Sequence, residues 1–189
     1  RGGRTYVIGL IISDIANPFW PSFARGVQRV ARREGYQVVL SNSDWDRDIE
    51  LECLAMAKRA NFDGLIINPG SLTREDLEAA HLPIVITGWG SRISGFDAVC
   101  GDVGAGIQSA IAHLASLGHV HIGFIGICDE PTYGHDRLKD FEGGMRKQGL
   151  DVRPELCVSA IYAQEGGRTA LDQLLQATPR PTAILTSND

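Results

Sequence analysis

Eight residues spread along the chain have side chains suited to holding a small polar molecule: Asp14, Phe19, Trp20, Asp102, Tyr133, Arg137, Tyr162 and Asn188. Planar rings pack on the C–H faces of a polyhydroxylated ligand, while fixed Asp, Asn and Arg groups bond its hydroxyls. The guanidinium of Arg137 is a planar fork of five donors, able to hold two ligand oxygens at once. Taken singly, Phe19 also fits a hydrophobic staple for the helix it opens, and Arg137 an ion pair with Asp136 or Asp140. No catalytic constellation stands beside this set. There is no G-x-S-x-G elbow, and the acidic pair Asp129–Glu130 sits in a loop with nothing to raise its pKa. The expectation is therefore a binding protein and not an enzyme. His113, His119, His121 and His135 form no tight pair with a carboxylate or cysteine, so no metal and no cofactor is expected. The glycine runs "GDVGAG" (101–106) and "GFIG" (123–126) have neither dinucleotide nor P-loop order, and close helix–strand packing is their expected role.

The elements that carry these residues alternate between strand and helix. Tyr6–Ile12 is a continuous apolar run, as in a parallel strand covered on both faces. Phe19, Phe23, Val27 and Val30/Ala31 then recur at helical spacing, with Asn17 as N-cap, Pro18 as first helical residue and Gly35 as the stop. Strands are expected at 37–40, 65–67, 82–87, 97–100, 121–127, 156–160 and 182–186. Helices are expected at 49–60, 73–80, 104–117, 135–148 and 165–176, Thr73 and Asp76 forming a capping box. Such alternation with short connections implies α/β architecture with doubly wound parallel sheets. In these sheets ligands bind outside the carboxyl ends of the strands, where the eight residues fall. The loop "SDIANPFW" after the first strand is one such place, and Trp20 is expected to line the ligand pocket. The closing "PTAILTSND" reads as a strand and a helix start, so the chain is expected to be truncated at its C-terminus.

With 189 residues, 43% of them apolar and 22% charged, the chain suits one large domain or two lobes. Its 18 basic and 23 acidic residues leave a net charge of −5, which argues against a nucleic-acid reader within this segment. Arg29, Arg32 and Arg33 read as a solvated helix face. No apolar stretch approaches the roughly 20 residues that span a bilayer. Cys53, Cys100, Cys128 and Cys157 lie far apart in apolar stretches and read as buried free thiols in a reducing cytosol.

The segment "YVIGLIISDIANPFWPSFARGVQRVARREGYQVVLSNSD" resembles the start of the effector-binding core of lactose-repressor-type (LacI-type) transcriptional regulators. "FDGLIINP", "GIQSAIAHLASLGHVHIGFIG", "DRLKDFEGGMRKQGL" and "RPTAILTSND" match later landmarks of that family in order. The resemblance covers essentially the whole chain. It implies a periplasmic-binding-protein-like fold of type I, two Rossmann-like lobes with the effector between them. Residues 1–4 would be a linker remnant, 5–118 the N-terminal lobe and 119–189 an incomplete C-terminal lobe. It further implies a cytoplasmic homodimer and a small-molecule effector, sugar-like or another polar metabolite. Operator DNA would be read only through a helix-turn-helix upstream of this chain, with no membrane contact. Position by position, Phe19 and Trp20 look like pocket walls and Asp102 like a polar contact. Tyr133 falls in an effector-touching loop, Arg137 is similar to the family's effector-binding arginine, Tyr162 to an aromatic pocket residue and Asn188 to the asparagine of an A-N-D motif. Asp140 in place of a glycine and "TGWGSR" after the fourth strand depart from the family pattern. A periplasmic sugar-binding protein feeding a transporter is the alternative; the "RGGRTYVIG" linker and the free cysteines weigh against it.

Overall fold

The computed structural model describes residues 3–88, 93–128 and 135–188, the side chains of 135 and 136 excepted. The chain divides into two compact units, Arg1–Gly101 and Asp102–Asp189. In the first, β1 (Val7–Ile12), β2 (Gln37–Asn42), β3 (Gly64–Ile67), β4 (Ile84–Thr87) and β5 (Asp97–Val99) form one parallel sheet in the order β2-β1-β3-β4-β5. The second holds β6 (Ile122–Gly126), β7 (Cys157–Ser159) and β8 (Ala183–Thr186), also parallel, in the order β7-β6-β8. Every strand and helix expected from the periodicity is present, with ends shifted by a few residues.

Helices pack on both faces of each sheet, as in double winding. In the first unit, α2 (Arg47–Arg59) and α3 (Arg74–Ala80) pack on Ile11, Leu65, Ile67, Ile84 and Ile86. On the opposite face α1 (Phe19–Arg33) packs on Leu10 and Ile12. The stripe that α1 buries is Trp20, Ala24 and Ala31, one residue out of phase with the stripe expected from Phe19. The helix starts at Phe19 with Pro18 in the cap position, one residue later than expected, and Asn17 Oδ1 accepts from the Phe19 amide at 3.0 Å. At the far end Gly35 has φ +81, and Tyr36 N donates to Ala31 O at 2.8 Å, closing a Schellman turn that only a left-handed residue permits. Thr73 and Asp76 form the expected capping box on α3.

In the second unit α4 (Val103–Ser116) and α5 (His135–Lys147) cover one face, with Ile107 and Ile111 against Phe124, Phe141 and Met145. The Phe124 and Phe141 rings lie 5.0 Å apart at 32°. Burial of each such ring contributes about 1.5–3 kcal/mol. The division of the chain thus falls before α4, whereas Gly118 had marked the expected end of the first lobe. A turn of 3-10 helix at Pro154–Leu156 precedes β7, and α6 (Gln164–Gln176) covers the other face through Ala170 and Leu174. The glycines do serve packing. A side chain at Gly123 would press on Leu174 at 3.1 Å, and one at Gly104 on the Asp140 carboxylate at 3.0 Å.

The cysteines depart from expectation. All four are free, but only Cys53 is buried; Cys100 is exposed and Cys128 and Cys157 are half-buried. Cys100 follows β5, an edge strand whose residues are all exposed, so the apolar stretch around it faces solvent. Among the described residues no helix is long and apolar enough to cross a membrane, and no cluster of three or more His, Cys, Asp or Glu could hold a metal.

Candidate functional site

Four strands of the first sheet finish, at their carboxyl ends, on buried polar residues. Ser13, Ser43 and Asn68 follow β1, β2 and β3 at 0% exposure, and Thr87 closes β4 at 3%. Asn68 Nδ2 donates to Ser13 Oγ at 2.9 Å, tying the ends of β1 and β3 together. Ser43 donates to Ile12 O twice, from its amide at 2.8 Å and from Oγ at 3.2 Å, tying β2 to β1. Gly88, with φ +75, follows β4, and any side chain there would collide with Asn68 Oδ1.

The loops above this floor are held from below. Glu50, wholly buried, accepts from the amides of Gly70 and Ser71 and from Ser71 Oγ at 3.3 Å, so one carboxylate pins the loop after β3. Arg47 reinforces it, donating to Ser71 O at 2.6 Å and pairing with Asp76 at 2.8 Å. Asn42 holds the loop after β1 through an acceptor bond from Ile15 N at 2.7 Å, and donates to Asp44 Oδ1 at 2.6 Å. Asp44 and Trp45 are consecutive residues with φ 49 and 62, a conformation that costs non-glycine residues about 1–2 kcal/mol each. Such strain clusters where a backbone is shaped for use.

Within this loop set the expected residues separate. Asp14 is half-buried and shapes its own turn, Oδ1 accepting from Ala16 N at 2.8 Å. Phe19 is 56% exposed, whereas Trp20 is 4% exposed and belongs to the core of the unit with Leu10, Ile12 and Ala24. The two rings meet edge-on at 5.0 Å and 80°. Trp20, expected as a pocket wall, lies on the buried side of α1 and backs the Phe19 ring, because adjacent residues on a helix point about 100° apart. Asp102 is likewise occupied locally, as the N-cap of α4, its Oδ1 accepting from Ala105 N at 3.0 Å.

The second unit brings three polar groups together at the carboxyl edge of its sheet. Arg137 lies in the first turn of α5, Tyr162 follows β7 and Ser187 follows β8. Ser187 Oγ donates to the Tyr162 hydroxyl at 3.4 Å. Burial holds the Arg137 guanidinium below its ordinary pKa, partly countered by its electrostatic attraction to the Tyr162 phenol. A cation in a helix's first turn also opposes the helix dipole. Burial and the dipole both disfavour the charge at this position, which suits it to an electron-rich ligand. Gly126 ends β6 beside this group; a Cβ there would meet Ser187 Oγ at 2.7 Å and the Phe124 ring at 2.7 Å. Asn188 is half-buried next to Ser187. Tyr133 lies outside the described residues.

Sequence reasoning missed Ser187 and the buried Ser13, Asn68 and Glu50. For Ser13, Asn68 and Ser187 the available signal was a polar residue directly after an apolar strand run; Glu50, inside α2, carried none. A cavity of about 720 Å³ opens elsewhere, along the face of the first sheet between Ile8, Ile66 and Val85, with Tyr36, Asp63 and Asp97 at its rim. It is an apolar sheet face near the strand starts, without the converging donors of the carboxyl edges.

Comparison with known proteins follows the same lines. A family model described as periplasmic binding proteins and the sugar-binding domain of the LacI family matches residues 5–189. Catabolite control protein A of Priestia megaterium is 30% identical over 98% of this chain and 57% of its own length. The chain spans about 57% of the length of the curated relatives it matches. A crystal structure from Burkholderia thailandensis, described as that of a candidate ribose operon repressor, superposes with a TM-score of 0.86 at 34% identity, covering 97% of this chain and 69% of that one. The Cra transcriptional dual regulator of Pseudomonas putida, solved with fructose 1-phosphate, shares the fold at a TM-score of 0.85 and 23% identity, over 98% of this chain and 70% of its own.

Proposed function

This chain belongs to the family that unites periplasmic binding proteins with the sugar-binding domains of LacI-type regulators, and on that premise we propose that it is the effector-binding core of a bacterial transcriptional regulator. The effector is a small polyhydroxylated molecule, a sugar or sugar phosphate. Arg137 and Tyr162 are its main polar contacts and Phe19 an apolar one. Asp14 and Asp102 cap their own turns within this set, Trp20 backs Phe19, and Asn188 and Tyr133 complete it. The observation that carries this reading is the juxtaposition of Arg137, Tyr162 and Ser187 at the carboxyl edge of the second sheet.

The regulatory step follows from linkage. An effector that binds one conformation better than another shifts operator affinity by that difference and no more. The operator-reading part lies outside these residues, consistent with a net charge of −5. The relatives named as transcriptional regulators favour this reading over a transporter's sugar-binding protein. A cytoplasmic homodimer belongs to the same proposal, supported by the exposed Val30, Val39 and Leu40 along α1 and β2.

The test is a thermal-shift panel of pentoses, hexoses, their phosphates and purines on this chain. A ligand present at 100 times its Kd stabilises by about 2.7 kcal/mol. For a protein of this size that raises Tm by roughly 5–10 °C. If no sugar or sugar phosphate stabilises the chain, the proposed effector class is wrong; if only a purine does, the site reads a base.

A further inference from the structure

The polypeptide enters β1 through a clasp. The carboxylate of Asp63, in the turn between α2 and β3, accepts from two successive amides, Thr5 N at 3.0 Å on Oδ1 and Tyr6 N at 3.0 Å on Oδ2. Thr5 Oγ1 adds a third bond to Oδ1 at 3.1 Å and reaches Asn61 O at 2.8 Å. Tyr6 is left-handed, with φ 55, and so is Asn61, with φ 53. The Tyr6 carbonyl accepts from Gln37 N at 2.8 Å and its ring lies 5.5 Å from that of Tyr36. A bulky residue holds a positive φ only where its surroundings over-determine it. Here a carboxylate fills the concave pair of amides that the turn creates, the geometry by which backbone nests bind anions.

The sheet does not need this clasp. β1 is already paired on both sides, with β2 along Val7–Ile12 and with β3 along Ile8–Ile11, and Asp63 adds nothing to the apolar core. Its backbone amide donates to Val7 O at 2.8 Å, but the bonds of its carboxylate fall on the residues that precede β1. We propose that Asp63 is a positioning residue that fixes the direction in which the chain leaves the first unit at Thr5, so that this unit and whatever precedes Thr5 turn as one body. The regulatory half rests on the reading above, in which the operator-binding part precedes Thr5. A flexible joint there would average away any reorientation of the unit, since an unrestrained linker fixes no direction; a clasped joint passes it on.

The test begins with this chain, by amide exchange and nitrogen relaxation of Thr5 and Tyr6 in wild type, Asp63→Ala, Asp63→Asn and Thr5→Ala. Wild type should protect both amides at least tenfold over Gly3. Asp63→Ala should bring them to within about threefold of it while Leu10 and Ile67 stay protected, and the milder Asp63→Asn and Thr5→Ala should fall between. Protection unchanged in Asp63→Ala overturns the proposal. The second measurement uses the longer protein that contains the operator-binding part, with the sugar that stabilises this chain most. Asp63→Ala should keep the Kd for that sugar within about twofold, while the ratio of operator affinities with and without it falls towards one. An intact ratio overturns the regulatory half. If the wild-type longer protein binds no operator, the proposed function fails, and the exchange measurement still decides the clasp.

Discussion

Replacing Arg137 by Ala should separate binding from stability. The residue stands in the first turn of α5, where its charge opposes the helix dipole by about 0.3–1 kcal/mol. Burial disfavours the charge further, as its lowered pKa records. Removing a charge that burial disfavours and losing the contacts of the side chain act in opposite directions, so the stability of the empty protein should move by no more than about 1 kcal/mol, or roughly 2–4 °C in Tm. The liganded protein loses a two-pronged, charge-assisted contact, with each such bond worth about 1.5–3 kcal/mol. Allowing for solvent taking over part of the contact, affinity should fall by about 2–4 kcal/mol, roughly 30- to 1,000-fold. Arg137→Lys should recover only part of this, since an ammonium cannot copy the planar fork. Calorimetric titration with the stabilising sugar, beside thermal unfolding of the empty chain, reads both quantities. A surface ion pair would give a similar change in stability, about 0–1 kcal/mol, but no change in affinity. Unchanged affinity in Arg137→Ala would refute the reasoning and remove Arg137 from the site.

Glu50→Gln, which trades a wholly buried acceptor of three bonds for a group carrying buried donors, should cost about 2–4 kcal/mol in urea unfolding; a loss under about 1 kcal/mol would show that the carboxylate does not pin the 70–71 loop. Under iodoacetamide at pH 8, Cys100 should be alkylated first, because it is exposed. Cys157 should be among the last, because burial, with Cys128 nearby, pushes its thiol up to about 12, and mass spectrometry of the digested chain gives the order. The backbone and side-chain bonds from Thr5 and Tyr6 hold the Asp63 carboxyl below its ordinary value, so the clasp is fully formed above the usual carboxylate range and is lost as pH falls through the depressed folded value. Thr5 and Tyr6 amides that already exchange freely at pH 5 would contradict this.

The periodicity made the architecture legible because each strand and helix is set locally. The unbroken apolar run before Ser13 demands burial on both faces, and Gly35 and Thr73 punctuate their helices by backbone geometry alone. What stayed hidden depends on partners distant in the sequence. Nothing near α4 says that Ile107 and Ile111 pack on Phe141 and Met145, so Gly118 looked like the end of a lobe. Phe19 and Trp20 looked equivalent because both suit a pocket wall. The phase of Trp20, Ala24 and Ala31 separates them, and that stripe is faint because alanines carry little apolar signal. Asp102 was legible as a polar strand-end residue, but its capping bond to Ala105 spans only three residues and gives it a structural role. Ser187 was passed over because an isolated serine carries no chemistry until Tyr162 stands beside it.

The dry polar floor of the first sheet has an evolutionary consequence. Ser13, Ser43, Asn68 and Thr87 are shielded from solvent, and the bonds made by Ser13, Ser43 and Asn68 tie strand ends to one another. A substitution in the loops above meets a foundation that does not depend on it, so recognition chemistry can drift while the frame stays rigid. One scaffold could thus be retuned to many metabolites by exchanging only its topmost residues, and selection on the cargo would leave the foundation almost untouched.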